Sequence, residues 1–226
     1  MKIGVLLPTF DGNPRRAFRA AARASESGLD GVFAYDHLWP MGSPPRPALA
    51  PFPVLAAIVA RHPLLHVGPL VARVGLVSTD HLVATFRTLD ALSPGHVVAA
   101  LGTGDRLSAP ENAAYGIPDL DAPSRRRLLG ETARALAPTI SVWIGAGAPA
   151  TNALAREVGA TVNLWNAPVA ALRAAALDGP VSWAGPPPAR EETARLLDDL
   201  AGAGATWAVL GAEVDVDVVA GWRSAN

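Results

Sequence analysis

Eight short apolar runs recur along the 226 residues at nearly even spacing: 3–7, 31–35, 65–71, 97–101, 140–144, 161–165, 181–184 and 207–210. None of them alternates apolar with polar positions, which is the pattern of strands covered on both faces in a parallel sheet. Helix-type segments with their own punctuation fill the intervals. Asn13-Pro14 reads as an N-cap and first helical residue; Phe18, Ala21, Ala22, Ser25 and Leu29 then keep helical spacing, and Gly28 marks the stop. Leu82, Thr85, Phe86, Leu89 and Leu92 do the same after Asp80, ending at Pro94-Gly95. Pro149 opens a helix after Gly145-Ala146-Gly147, and Ala194, Leu197, Leu200 and Ala201 mark a late one.

A strand, a helix and two short loops need roughly 28 residues, so eight such units use up the chain. The expected fold is α/β: a compact (β/α)8 TIM barrel, a single domain over residues 1–226, near the lower end of the roughly 200 to 250 residues usual for it. An open doubly wound sheet is the rival, but eight equal units suit closure better. First and last strands should then pair, with 3–7 lying between 31–35 and 207–210. The proline-rich stretch 44–53 is expected to be a stiff loop inside the second unit.

Composition removes several kinds of chemistry. The chain has no cysteine, which excludes disulfide frameworks, thiolate metal sites and cysteine nucleophiles. Nineteen basic against twenty acidic residues give a net charge of −1, so no electrostatic footprint for nucleic acid or an anionic membrane is present. No run approaches the roughly 18 apolar residues of a membrane span, and the opening apolar run is shorter than a secretory leader requires. A cytoplasmic protein is expected. Lys2 is the only lysine, so Schiff-base chemistry at a strand end is excluded. Neither His-x-His nor His-Glu-x-x-His occurs, and no metal site is expected.

Barrel enzymes place their chemistry on the loops after the strands. The residues to weigh there include Thr9-Phe10-Asp11, Asp36-His37, Ala72-Arg73, Gly102-Thr103-Gly104-Asp105, Gly145-Ala146-Gly147 and Trp165-Asn166. Asp36-His37 is the sharpest pair, since a histidine at a strand mouth can move protons near neutral pH. By itself the pair reads equally well as a loop cap beside a surface histidine. Gly102 to Asp105 offers bare backbone to a planar ligand with a carboxylate beside it, although glycine after a strand is common. Gly145-Ala146-Gly147 leading into Pro149 exposes amides suited to a phosphate, or simply makes a tight turn.

Taken together, Lys2-Ile3-Gly4-Val5-Leu6-Leu7-Pro8, Ser27-Gly28-Leu29-Asp30-Gly31-Val32-Phe33 and Tyr35-Asp36-His37-Leu38-Trp39 resemble the luciferase-like monooxygenase family. Leu89-Asp90-Ala91-Leu92-Ser93-Pro94-Gly95 followed by Leu101-Gly102-Thr103-Gly104-Asp105-Arg106 is similar to the same family's third helix and fourth strand. Val142-Trp143-Ile144-Gly145, Asn163-Leu164-Trp165, Ser182-Trp183-Ala184-Gly185 and Gly204-Ala205-Thr206-Trp207 match its later strands in order. The Gly-Thr-Gly-Asp-Arg form looks most like members that use the deazaflavin coenzyme F420.

The resemblance implies coenzyme F420, or else FMN, at the C-terminal mouth. His37 would be the catalytic proton carrier and Asp105 an acidic catalytic residue. Asp36, Leu70, Val71, Gly102, Thr103 and Gly104 would surround the ring, with a non-proline cis bond within residues 68–71, and Gly145, Ala146, Gly147 and Ala148 would hold the phosphate. The implied activity is an oxidoreductase passing hydride between the cofactor and a small organic substrate, or a monooxygenase if the cofactor is FMN. Two other readings stand beside it: a flavin- or deazaflavin-binding barrel without turnover, and an unrelated barrel enzyme acting on a phosphorylated metabolite. The chain is shorter than common members, with Ala137-Pro138-Thr139 running straight from helix to strand. That leaves room for a homodimer in which a second subunit completes the site.

Overall fold

A computed structural model describes residues 1–10, 12–39, 48–104, 108–145 and 148–225. Strands and helices alternate along it: β1 (Lys2–Leu6), α1 (Pro14–Glu26), β2 (Gly31–Ala34), α2 (Pro51–Val59), β3 (His66–Pro69), β4 (Ala72–Arg73), α3 (Thr79–Leu92), β5 (Val98–Gly102), α4 (Ala109–Ala114) and α5 (Ala122–Leu136). Then come β6 (Ser141–Gly145), α6 (Pro149–Glu157), β7 (Thr161–Trp165), α7 (Val169–Ala176), β8 (Val181–Gly185), α8 (Thr193–Gly202), β9 (Ala205–Leu210) and α9 (Val216–Ala225). All strands run parallel in the order β3-β2-β1-β9-β8-β7-β6-β5-β4. β1 sits between β2 and β9, with Gly4 opposite both Gly31 and Val209. The terminal strands of this order, β3 and β4, are two halves of one stave, and the parallel bridge Val67–Val97 joins the sheet around to β5. The result is a nearly closed barrel.

The third stave departs from the single run 65–71. It breaks into β3 and β4 across the cis peptide Leu70–Val71, which falls inside the segment where the family resemblance puts one. The residues on either side of the break, Pro69-Leu70 and Val71-Ala72, are apolar, so the run shows no polar interruption there. A second correction concerns the stretch 44–53. Pro51 and Pro53 start α2 instead of continuing a loop. The first-turn amides of a helix have no intrahelical partner, so prolines there remove no hydrogen bond. At α1 the expected cap is present: Asn13 Oδ1 accepts from the amide of Arg15 at 3.1 Å, with Pro14 at the first position.

Apolar side chains pack in two layers. Outside, strand residues such as Ile3, Val5, Val32 and Leu101 meet Ala17, Ala21, Leu55, Phe86 and Leu129 from the helices. Inside, Leu6, Phe33, Leu70, Val98, Trp143, Trp207 and Val209 fill the barrel. Phe33 stacks on Trp143 at 5.3 Å, and Trp207 stands edge-on to both rings at 5.7 and 5.5 Å. Such ring pairs contribute roughly 0.5–1.5 kcal/mol beyond their buried area. Space for them comes from Gly4, where a Cβ would lie 2.7 Å from the Phe33 ring. This plug closes the lower barrel and leaves the opening at the strand C-termini.

Candidate active site

The C-terminal mouth holds a cavity of about 520 Å³, within the roughly 300 to 1,000 Å³ of small-molecule sites. Of the residues singled out from the sequence, His37, Leu70, Val71, Gly102, Thr103, Gly104, Gly145 and Ala148 line it together. Asp36 turns instead to the backbone of β4, its Oδ2 accepting from the Arg73 amide at 3.0 Å. Burial pushes the Asp36 carboxyl above its ordinary range, against the opposing pull of the Arg73 amide and guanidinium. Asp105, Ala146 and Gly147 lie outside the described residues.

One wall is built by omission. A Cβ on Gly102 would collide with Val71 Cγ2, and one on Gly145 would come within 3.3 Å of Val71 Cγ1. The bare ends of β5 and β6 therefore let the Leu70–Val71 corner close against the sheet, with the Val71 methyls in the space that side chains there would fill. Beyond it, α6 begins at Pro149, and Thr151 in its first turn lines the cavity with Ala148. Helix N-termini favour anions, so this corner suits a phosphate.

The polar centre is a network that spacing along the chain does not reveal. Glu111, on the short helix α4, is only 1% exposed. Its Oε2 lies 3.0 Å from His37 Nδ1, and its Oε1 accepts from the Leu38 amide and from Arg73 Nη2, each at 2.5 Å. Arg73 spends the rest of its guanidinium on its neighbours: Nε donates to the Asp36 carbonyl and Nη1 to Asn112 Oδ1. A carboxylate only accepts, so the Glu111 contact keeps a proton on His37 Nδ1 and leaves Nε2 as the free ring nitrogen. His37 is 18% exposed, enough to meet a ligand while held from behind.

Among the described residues no group of three or more His, Cys, Asp or Glu could hold a metal ion, and no helix is long and apolar enough to cross a membrane. Aromatic side chains complete the lip. Tyr35 and Trp165 line the cavity, and burial pushes the Tyr35 phenol up to about 12.

With this geometry in view, likenesses to known proteins become informative. The family model for luciferase-like monooxygenases matches residues 1–141. The F420-dependent glucose-6-phosphate dehydrogenase of Intrasporangium calvum is 32% identical over 121 residues, covering 52% of this chain and 36% of that protein. Its namesake from Beutenbergia cavernae is 31% identical over 133 residues, 58% of this chain and 38% of that protein. The match thus spans little more than a third of those relatives' own length. Among solved structures, an F420-dependent secondary alcohol dehydrogenase in complex with an F420-acetone adduct superposes with a TM-score of 0.79 at 14% identity, over 97% of this chain and 96% of that one. The EDTA monooxygenase of Chelativorans sp. BNC1 gives 0.79 at 13% identity, over 100% and 94%. At such identities these superpositions bear on the fold alone, and they agree with the barrel described above.

Proposed function

The chain belongs to the luciferase-like monooxygenase family, and from that premise we propose that it is an F420-dependent oxidoreductase acting on a small organic substrate. The observation that carries this reading is the pairing, in one cavity, of a glycine-backed wall with a histidine held by a buried carboxylate. The names of the sequence relatives, F420-dependent dehydrogenases, favour the deazaflavin over FMN.

Leu70, Val71, Gly102 and Gly145 would hold the ring, and Ala148 with the first turn of α6 its phosphate. Bound there, the deazaflavin supplies two-electron hydride chemistry at a ring carbon. The chain's part is to orient and to move a proton. His37 Nε2 takes the proton from a substrate hydroxyl as its carbon gives up hydride, or returns it in the reductive direction. Glu111 keeps the imidazole in the tautomer that leaves Nε2 available and faces the imidazolium while it exists. Arg73 holds Glu111 in place and balances its charge.

Titration of the purified protein with F420 and, separately, with FMN tests the assignment by absorption and fluorescence. Saturable F420 binding with reduction of F420 by an alcohol substrate is expected. Tight FMN binding with oxygen consumption would replace it with monooxygenation, and F420 binding without turnover on any alcohol or ketone would reduce the protein to a cofactor-binding barrel.

A further inference from the structure

Trp165 is the last residue of β7 and is 50% exposed, although its strand is part of the barrel wall. Large exposed aromatics cost solubility and commonly mark binding surfaces. The backbone beneath it is firmly placed. Trp165 pairs with Ala184 of β8, and the Asn166 amide donates to the Ala184 carbonyl at 2.6 Å as the chain turns through a positive φ of 47°. Asparagine tolerates that conformation better than most residues. The indole is thus presented to the cavity by a fixed strand end.

Its neighbours extend the same surface toward the proton carrier. Tyr35 meets Trp165 edge-on at 6.1 Å, Phe10 stacks on Tyr35 at 4.8 Å and 7°, and Phe10 in turn stands edge-on to His37 at 6.2 Å. Four rings therefore run in sequence from the cavity lip to His37. Leu70, Val71, Gly102 and Gly145, assigned above to the cofactor, line the same cavity. Arg73 is the one arginine among the described lining residues, and its Nε, Nη1 and Nη2 are all engaged by Asp36, Asn112 and Glu111.

We infer that Trp165 and Tyr35 form the substrate face of this cavity and select a neutral molecule carrying a flat apolar ring beside its reacting carbon. The inference rests on the F420 reading above and deepens it. A substrate of this kind stacks its ring on the aromatic wall while its hydroxyl or carbonyl oxygen reaches His37. A sugar phosphate finds no free guanidinium there among the described residues. For a secondary alcohol of this kind, the carbinol carbon would give its hydride to bound F420 and the hydroxyl its proton to His37 Nε2, leaving the ketone and the reduced cofactor.

The experiment uses the full chain loaded with F420, with loading followed first by the cofactor's own fluorescence. Calorimetry then measures acetophenone and glucose 6-phosphate as probes. Acetophenone is expected to bind at least about tenfold more tightly than glucose 6-phosphate. Trp165→Ala should weaken acetophenone by about tenfold or more and Trp165→Phe should restore most of it, with F420 affinity moving less than about threefold. Equal or tighter binding of glucose 6-phosphate, or unchanged acetophenone binding in Trp165→Ala, overturns the inference and leaves the cofactor reading standing. Failure of the parent chain to take up F420 overturns both.

Discussion

The two ends of the barrel each hold a histidine against a charged partner, and the partners have opposite sign. At the mouth, His37 Nδ1 faces the buried carboxylate of Glu111. At the floor, His66 Nε2 lies 2.9 Å from Lys2 Nζ, with His96 at 5.1 Å and the Trp207 ring at 5.3 Å. An ammonium only donates, so the floor nitrogen must be bare, whereas the nitrogen facing Glu111 must carry a proton. Burial first, then Lys2 and His96, push His66 down to about 4, with Asp30 pulling weakly the other way. The same residue type is thereby made a neutral packing element at one end and the proposed proton carrier at the other. Sequence position alone would not separate them, and the charge across the barrel does.

The largest difference between the ends should appear in stability. Arg73 is 5% exposed and Glu111 1%, whereas the floor pair Arg223–Asp30 is 44% and 15% exposed. Removing one member of a buried pair strands the other and costs roughly 3–5 kcal/mol, while an exposed pair contributes about 1 kcal/mol or less. Arg73→Met should therefore lower unfolding free energy in urea by roughly 3–5 kcal/mol, and Arg223→Met by about 1 kcal/mol or less. Equal losses would show that the mouth network is solvated and the contrast between the ends is false.

Next in size is the effect on catalysis. His37→Ala should lose about 100-fold or more in turnover, the typical contribution of a positioned acid or base, while F420 affinity stays within a few-fold. Glu111→Gln keeps the shape of the side chain and removes its charge, and should lower kcat by about tenfold or more with KM little changed. Because Glu111 acts through His37, the double variant should lose little beyond His37→Ala alone. Additive losses would place Glu111 in direct contact with substrate. His66→Gln, at the floor, should leave turnover at pH 7.5 unchanged.

Much of the floor and the frame was legible in the sequence, and the polar network at the mouth was not. Apolar runs marked the staves, although the third stopped short of β4, and Asn13-Pro14 marked the first helix, because burial on two faces and capping chemistry leave local marks. Gly102 and Gly145 were legible as bare strand ends. Glu111 carries no such mark: no motif singles it out, and it lies 74 residues from His37. Only closure of the barrel buries it. Trp165 was legible as a residue at a strand mouth, but its half-exposure was not; that follows from standing last in β7, at the rim. The break at Leu70–Val71 is silent because the residues flanking it, Pro69-Leu70 and Val71-Ala72, are all apolar.

The smallest expected effect tests the floor directly. His66 has an ordinary value of 6.5 and lies at about 4 in the folded chain. Between those values the unfolded chain binds a proton that the folded chain refuses, so stability rises with pH across this window and is lost as pH falls through it. The groups facing the ring are Lys2, His96 and Asp30. Lys2 and His96 oppose the imidazolium, and Asp30 only partly offsets them. The thermal midpoint should therefore drop from pH 6.5 toward 4. Carboxylates protonating in the same range add to that fall, so the informative quantity is a difference between proteins. His66→Gln offers Lys2 a neutral amide oxygen in place of Nε2 and cannot titrate. Its melting temperature should fall less steeply over the window, and the two curves should run parallel above pH 7. Parallel curves throughout would mean that His66 accepts its proton without penalty, that Lys2 moves aside, and that the floor does not hold its histidine neutral.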